Sequence, residues 1–283
     1  MQVNASQIWS AIEEIREKSP VIHNITNFVV MNNTANALLA LGASPVMAHA
    51  EEEVEEMVNI AGALVINIGT LSRYWIPSMI RAVHEAHQKK IPIVLDPVGA
   101  GATTYRTRTA RELLDAVPIT IIRGNASEIM AIADDEARTR GVDSSALSED
   151  ALDAARHLCD TYGCVVCVSG ETDYILSGTD VTRVLNGHVM MTKVTGLGCT
   201  ASALCGAFAA VNSDFALATV EAMAVMGIAG ELGAMNSTGP GSMQVNFLDA
   251  LYRISEEYIE KYLNIEAENA GFVSGDRSRI VRR

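Results

Sequence analysis

The sequence predicts a three-layer α/β/α fold around a central, mostly parallel sheet. Three observations carry this. The runs LVINI, IPIVLD and ITIIRG are short and apolar throughout, as parallel strands covered on both faces must be. They alternate with longer stretches of helical period, and such strand–helix repetition builds layered α/β sheets. No Pro/Gly/Ser-rich linker and no internal repeat divides the 283 residues. One domain over residues 1–265 follows, with 266–283 as a loose tail where helical periodicity is lost.

In chain order, residues 6–18 read as an amphipathic helix, without the basic start and apolar run of a signal peptide. A helix at 31–41 and a short strand at 44–47 follow. The helix at 51–61 leads into the apolar strand at 63–68. A helix at 76–89 precedes the strand at 91–95, and one at 107–116 precedes the strand at 119–122. The helix at 126–133 gives way to a polar surface excursion at 134–150. A helix at 148–162 then leads to three β-branched runs at 164–169, 174–177 and 181–185. Helices rich in small and apolar residues close the domain at 199–211, 215–235 and 243–262. In such sheets ligands sit beyond the carboxyl ends of the strands, so strand ends and helix starts are where chemistry is sought.

Composition narrows the partners. The chain carries 21 Lys+Arg against 34 Asp+Glu, a formal charge of −13. That argues against nucleic acid, which needs a basic face. It does not exclude a phosphate ligand, because net charge does not describe one cleft. Residues 19–50 hold no Asp, Glu, Lys or Arg and read as the most membrane-like stretch. Yet Asn24, Asn27, Asn32, Asn33 and Asn36 would leave amides unpaired in hydrocarbon, which excludes a spanning helix there. The five cysteines are an odd number, which fits reduced thiols in a cytoplasm. Cys164 and Cys167 form a C-x-x-C pair, but on a strand residues three apart face opposite sides, so they read as core thiols and not a metal site.

Three motifs could carry chemistry. The first is T-G-L-G-C-T at 195–200, opening a helix of small residues. Its glycines allow close backbone approach and its N–H groups make an anion hole, or else it is a tight turn before a packed helix. Cys199 sits at that helix start, where the dipole lowers a thiol's pKa and makes it a candidate base or nucleophile, or else it is a small buried thiol. Lys193 lies just upstream. The second is D-P-V-G-A-G at 96–101. Asp96 ends a buried strand and faces the ligand edge, as a Mg²⁺ ligand or as a turn cap. The third is R-G-N-A-S-E at 123–128. Arg123 suits a phosphate fork, while Asn125 and Glu128 have capping-box spacing, and Glu128 could also orient metal-bound water. No G-x-x-x-x-G-K-[ST] lysine motif is present. His84 and His87 are one residue too close for H-E-x-x-H and read as a solvated face. His23 is open to two readings, ligand contact or structural hydrogen bond.

Taken in order, and with HNITNFVVMNNTANALLALGASPVM upstream, these motifs resemble the hydroxyethylthiazole kinases of the ribokinase-like superfamily. The resemblance runs to about Ile265. It implies a ribokinase-like fold and ATP- and Mg²⁺-dependent phosphorylation of the hydroxyl of 4-methyl-5-(2-hydroxyethyl)thiazole, a salvage step toward thiamine. By resemblance, Met47 and Gly196 contact the thiazole alcohol, and Arg123 and Ser169 contact ATP. Asp96 and Glu128 organise Mg²⁺ directly or through water. Cys199 stands where most of the superfamily carries a catalytic Asp. The family also implies a homotrimer with sites between subunits, for which the uncharged stretch 19–50 offers an interface and pocket wall. The competing readings are a hydroxymethylpyrimidine kinase, an ATP-dependent hydrate dehydratase, or a non-catalytic nucleotide- or thiamine-responsive binding protein.

Overall fold

Among the described residues nine strands, numbered in chain order, form one sheet in the order β2-β1-β3-β4-β5-β6-β7-β8-β9. The computed structural model describes residues 3–133 and 149–268. Six strands, β1 (Val21–Ile25), β2 (Ser44–Val46), β3 (Ala63–Asn67), β4 (Ile93–Asp96), β5 (Ile121–Asn125) and β6 (Val165–Ser169), run parallel. The last three, β7 (Asp173–Ser177), β8 (Asp180–Val184) and β9 (Ile265–Glu268), extend it antiparallel. The mostly parallel sheet is thus as expected.

Each face of the sheet packs against its own helical layer. On one side lie α1 (Ala5–Lys18), α2 (Met31–Leu41), α8 (Leu197–Ala209), α9 (Phe215–Met235), α10 (Pro240–Arg253) and α11 (Glu256–Tyr262), around Phe208 and Phe247. On the other lie α3 (Val54–Ile60), α4 (Trp75–Lys89), α5 (Thr104–Ala116), α6 (Ala126–Ala133) and α7 (Glu149–Tyr162), around Ile66, Leu95 and Ile122. Fully burying an aliphatic or Phe side chain contributes about 1.5–3 kcal/mol, so the two apolar layers are the main driving force for this architecture. Cys167 belongs to the first core and Cys164 to the second, on opposite faces as strand geometry demands. All five cysteines are free thiols.

Several elements differ from the sequence reading. β1 is unanticipated because His23 and Asn24 interrupt its apolar pattern, although both are fully buried. The expected helix 243–262 is two helices. Ser255 breaks it by capping α11, its hydroxyl accepting from Tyr258 N at 3.4 Å. Residues 266–268, expected in the loose tail, belong instead to β9, which pairs with β8 over Val184↔Ile265 to Val181↔Glu268. Most of the polar segment 134–150, and the tail after residue 268, lie outside the described residues; Glu149 and Asp150 open α7. Among the described residues the helix long and apolar enough to cross a membrane is Phe215–Met235, not stretch 19–50. Of its apolar window 72% is buried inside the protein, so α9 is the spine of a packed layer. His84 and His87 are exposed on α4.

Candidate active site

The parallel strands end on polar residues along one edge. Asn67 closes β3 and Asp96 closes β4 as register partners; Asn125 closes β5 and Ser169 closes β6 likewise. Each is the last position still held by the ladder, so its side chain is delivered to the edge with little freedom. α8 begins at the same edge. Its N-cap, Gly196, has φ +87°, and an added Cβ would stand 2.8 Å from Val30 Cγ1. A side chain there would be strained twice over. An added Cβ at Gly198 would stand 3.1 Å from Arg123 Nη1, so the glycine lets the guanidinium lie against the helix start.

Asp96 is the centre of a buried polar relay. Its Oδ2 accepts from Asn67 Nδ2 at 2.7 Å and from Ser202 Oγ at 2.8 Å. Asn67 Oδ1 accepts from Asn27 Nδ2 at 2.8 Å, and the same amide reaches Cys199 Sγ at 3.4 Å. Asp96 Oδ1 is buried with no hydrogen-bond partner, and so is Arg123 Nε. Burial pushes the Asp96 carboxyl up to about 6, although the Arg123 charge opposes this; Glu128 adds to the rise. Arg123 donates from Nη2 to Ser169 Oγ at 2.6 Å. Burial alone would lower its pKa, but Asp96, Asp173 and Glu128 together raise it, so it stays charged.

Asn125 and Glu128 realise the capping box. Glu128 N donates to Asn125 Oδ1 and Asn125 N donates to Glu128 Oε2, both at 2.9 Å. Glu128 Oε1 also accepts from Gly99 N at 2.8 Å, tying the turn after β4 to the start of α6. Both of its oxygens are thus already engaged, unlike Asp96 Oδ1.

The structure therefore brings Asp96, Arg123, Ser169, Gly196, Cys199 and Glu128 to one edge. Met47 is apart. It follows β2, the edge strand, with β1 and β3 between it and β4. The lowered thiol pKa expected of Cys199 is overturned. Burial and the nearby Asp96 charge push it up to about 11, against the opposing Asn67 and Asn27 amides and Arg123 charge. Sequence reading missed Asn67, Asn27 and Ser202 as a relay to Asp96. It also missed Asp173, a buried acid facing Arg123 whose Oδ1 accepts from Gly170 N at 3.1 Å. Arg106 was missed too; it donates to the carbonyls of Ile68, Gly69 and Val98 and so clamps two site loops together. Asn67 had a usable signal: like Asp96, it is a polar residue ending a buried strand.

A mostly parallel α/β/α sheet whose polar strand ends and glycine-rich helix start gather at one edge is the ribokinase-like fold. Pyridoxal kinase from Staphylococcus aureus, in complex with AMP-PCP and pyridoxal, shares the fold, superposing with TM-score 0.62 at 16% identity over 88% of this chain and 97% of that one. Residues 12–257 match the hydroxyethylthiazole kinase family, and the chain belongs to it. It is 63% identical over 94% of its length to hydroxyethylthiazole kinase of Syntrophus aciditrophicus (strain SB), covering 99% of that protein. It is 58% identical over 89% to that of Leptospira biflexa, covering 95% of it. The structure of hydroxyethylthiazole kinase protein from Pyrococcus horikoshii OT3 superposes with TM-score 0.86 at 45% identity, covering 93% of this chain and all of that one. These relatives support a kinase acting on an alcohol and give no support to the pyrimidine-kinase, dehydratase or non-catalytic readings.

Proposed function

We propose that this chain transfers the γ-phosphoryl group of ATP to the hydroxyl of 4-methyl-5-(2-hydroxyethyl)thiazole, yielding the thiazole phosphate used in thiamine biosynthesis. The observation that carries this is the family match over residues 12–257, which contains every residue of the site. ATP lies over Ser169 and Arg123, and the free Nε–H of Arg123 meets a phosphate oxygen. The first-turn N–H groups of α8, unpaired within the helix, face the moving phosphoryl group. Gly196 borders the acceptor arm, and Met47 borders the ring. Catalysis is then mostly positioning and charge neutralisation of an in-line transfer.

Among the described residues no three His, Cys, Asp or Glu converge to hold a metal by themselves. The orphaned Asp96 Oδ1 nonetheless fits Mg²⁺, which takes one or two carboxylates and leaves its other positions to phosphate oxygens and water. Asp96 would hold it directly and Glu128 through water. What a bound Mg²⁺ supplies is neutralisation of charge on the transferring phosphoryl group. The assay is ATP consumption with the thiazole alcohol, with hydroxymethylpyrimidine and with neither. Turnover is expected with the first alone, and preference for the pyrimidine alcohol refutes the reading.

Cys199 is neutral at working pH and assists deprotonation only weakly. Cys199→Ala is expected to lower kcat by less than about a thousandfold, within what general-base help supplies. A larger fall would make the thiol a principal base. The active form is a homotrimer with sites between subunits, supported by the exposure of Phe28 (64%), Val29 (60%) and Tyr74 (68%) beside the site edge. Sedimentation at micromolar concentration should give a trimer, and monomer alone would refute it. Cytoplasmic placement is supported by the five free thiols.

A further inference from the structure

The loop after β2 carries Met47, yet the sheet does not hold its backbone. β2 has three residues, pairs only with β1, and ends its register at His23↔Val46. Beyond that point the Ala48 carbonyl takes its hydrogen bond from a side chain, His23 Nε2 at 2.8 Å. The acceptor is a carbonyl, so Nε2 carries the proton and the ring is the Nε2–H tautomer. His23 is fully buried and its Nδ1 has no partner. Burial also holds its pKa below the usual imidazole range. The bond satisfies the Ala48 carbonyl while Nδ1 stays buried and unpartnered, so what this histidine does here is fix the loop at Ala48.

The loop it holds leads to a group of rings. His49 lies 4.3 Å from Trp75, centroid to centroid, and Phe28 lies 4.7 Å from Trp75. Phe28 follows Asn27, whose amide touches Cys199. Phe28 and His49 thus flank Trp75 with their centroids 6.4 Å apart, and the Met47 carbonyl lies 3.4 Å from His49 Nδ1. Aromatic and thioether groups of this kind suit a flat heteroaromatic ring.

We propose that His23 is a positioning residue for the acceptor alcohol. By holding the Ala48 carbonyl it fixes Met47 and His49 against the heteroaromatic ring, without touching the ring itself. This rests on the reading of the substrate as hydroxyethylthiazole.

The test compares wild type with His23→Asn and His23→Gln, varying the thiazole alcohol and ATP independently. Glutamine places an amide N–H near the Nε2 position, whereas asparagine is too short to reach Ala48. His23→Asn is expected to raise KM for the thiazole alcohol about tenfold, with kcat and KM for ATP within about twofold; that pattern is a loss of uniform substrate binding. His23→Gln should stay within about threefold of wild type. An unchanged thiazole KM in His23→Asn, a common fall in all parameters, or equal damage in both variants overturns the proposal. Should His23→Asn fail to fold, the wild-type protein decides. Adding the thiazole alcohol should slow exchange of the His23 Nε2–H proton in NMR, and an unaltered rate overturns it. Wild type without turnover on the thiazole alcohol would instead refute the substrate reading.

Discussion

Asp96→Asn is expected to remove almost all turnover while raising the melting temperature at neutral pH. In the proposed reaction this carboxylate balances phosphoryl charge through Mg²⁺, and Oδ1 is its free oxygen. Losing that charge should lower kcat by about a thousandfold or more, the scale of removing a principal electrostatic contact. The stability effect has the opposite sign. Burial raises this carboxyl from 3.8 to about 6, so the native state binds its proton more tightly than the unfolded chain does. Such a group favours the fold while protonated, and stability falls as pH rises from about 4 through 6. At pH 7–8 the ionised form therefore costs on the order of 2–3 kcal/mol, which a neutral amide of the same shape avoids. Calorimetry should show the variant more stable than wild type at pH 7.5 and equal to it near pH 4. A variant less stable at both pH values would show that the Asn67 and Ser202 bonds require the charge. The acid is thus retained for chemistry and against stability.

Arg123→Gln should reverse that stability pattern. Asp96 and Asp173 are both buried, each is pushed up to about 6, and Arg123 is the charge opposing the rise in both. Without it two carboxylates must ionise in a poorly solvated site. Removing one partner of a buried charge network costs about 3–5 kcal/mol, and that loss should appear above pH 6, where the acids ionise. Near pH 4 both acids are protonated at little cost, so most of the deficit should vanish. In the proposed reaction turnover should fall by about 10²–10⁴, since the phosphate loses the guanidinium charge and its free Nε–H. The measurement is melting temperature against pH for wild type, Arg123→Gln and the double variant with Asp96→Asn. The double variant should recover stability at pH 7.5 and no activity. An equal deficit at every pH would mean that Arg123 acts by packing its stem and not by its charge.

The strand ends are legible in the sequence because buried parallel strands are uniformly apolar, so a terminal Asp96 stands out against its run, whereas Ser169 is reached only through the family resemblance. The glycine-rich helix start was legible too, since only glycine tolerates the φ of Gly196 beside Val30. β1 was not, because the pattern that marks a buried strand fails where its polar residues are satisfied by partners distant in sequence. Asn27 and Asn67 are 40 residues apart, and Ser202 and Asp96 are 106 apart. Nor did the sequence reveal that Glu128 spends both oxygens on backbone N–H groups, one of them 29 residues away.

By itself the sequence determined the layered fold, the mostly parallel sheet and the strand-end edge where the candidate site lies. Those follow from periodicity and from the backbone freedom of particular residues, which are local properties. Only the tertiary structure decided the charge states. The helix start next to Cys199 argues locally for an acidic thiol, yet the packed site holds it near 11. The acids facing Arg123 are raised to about 6 by the same burial. Desolvation depends on everything packed around a group, and no stretch of sequence contains that sum.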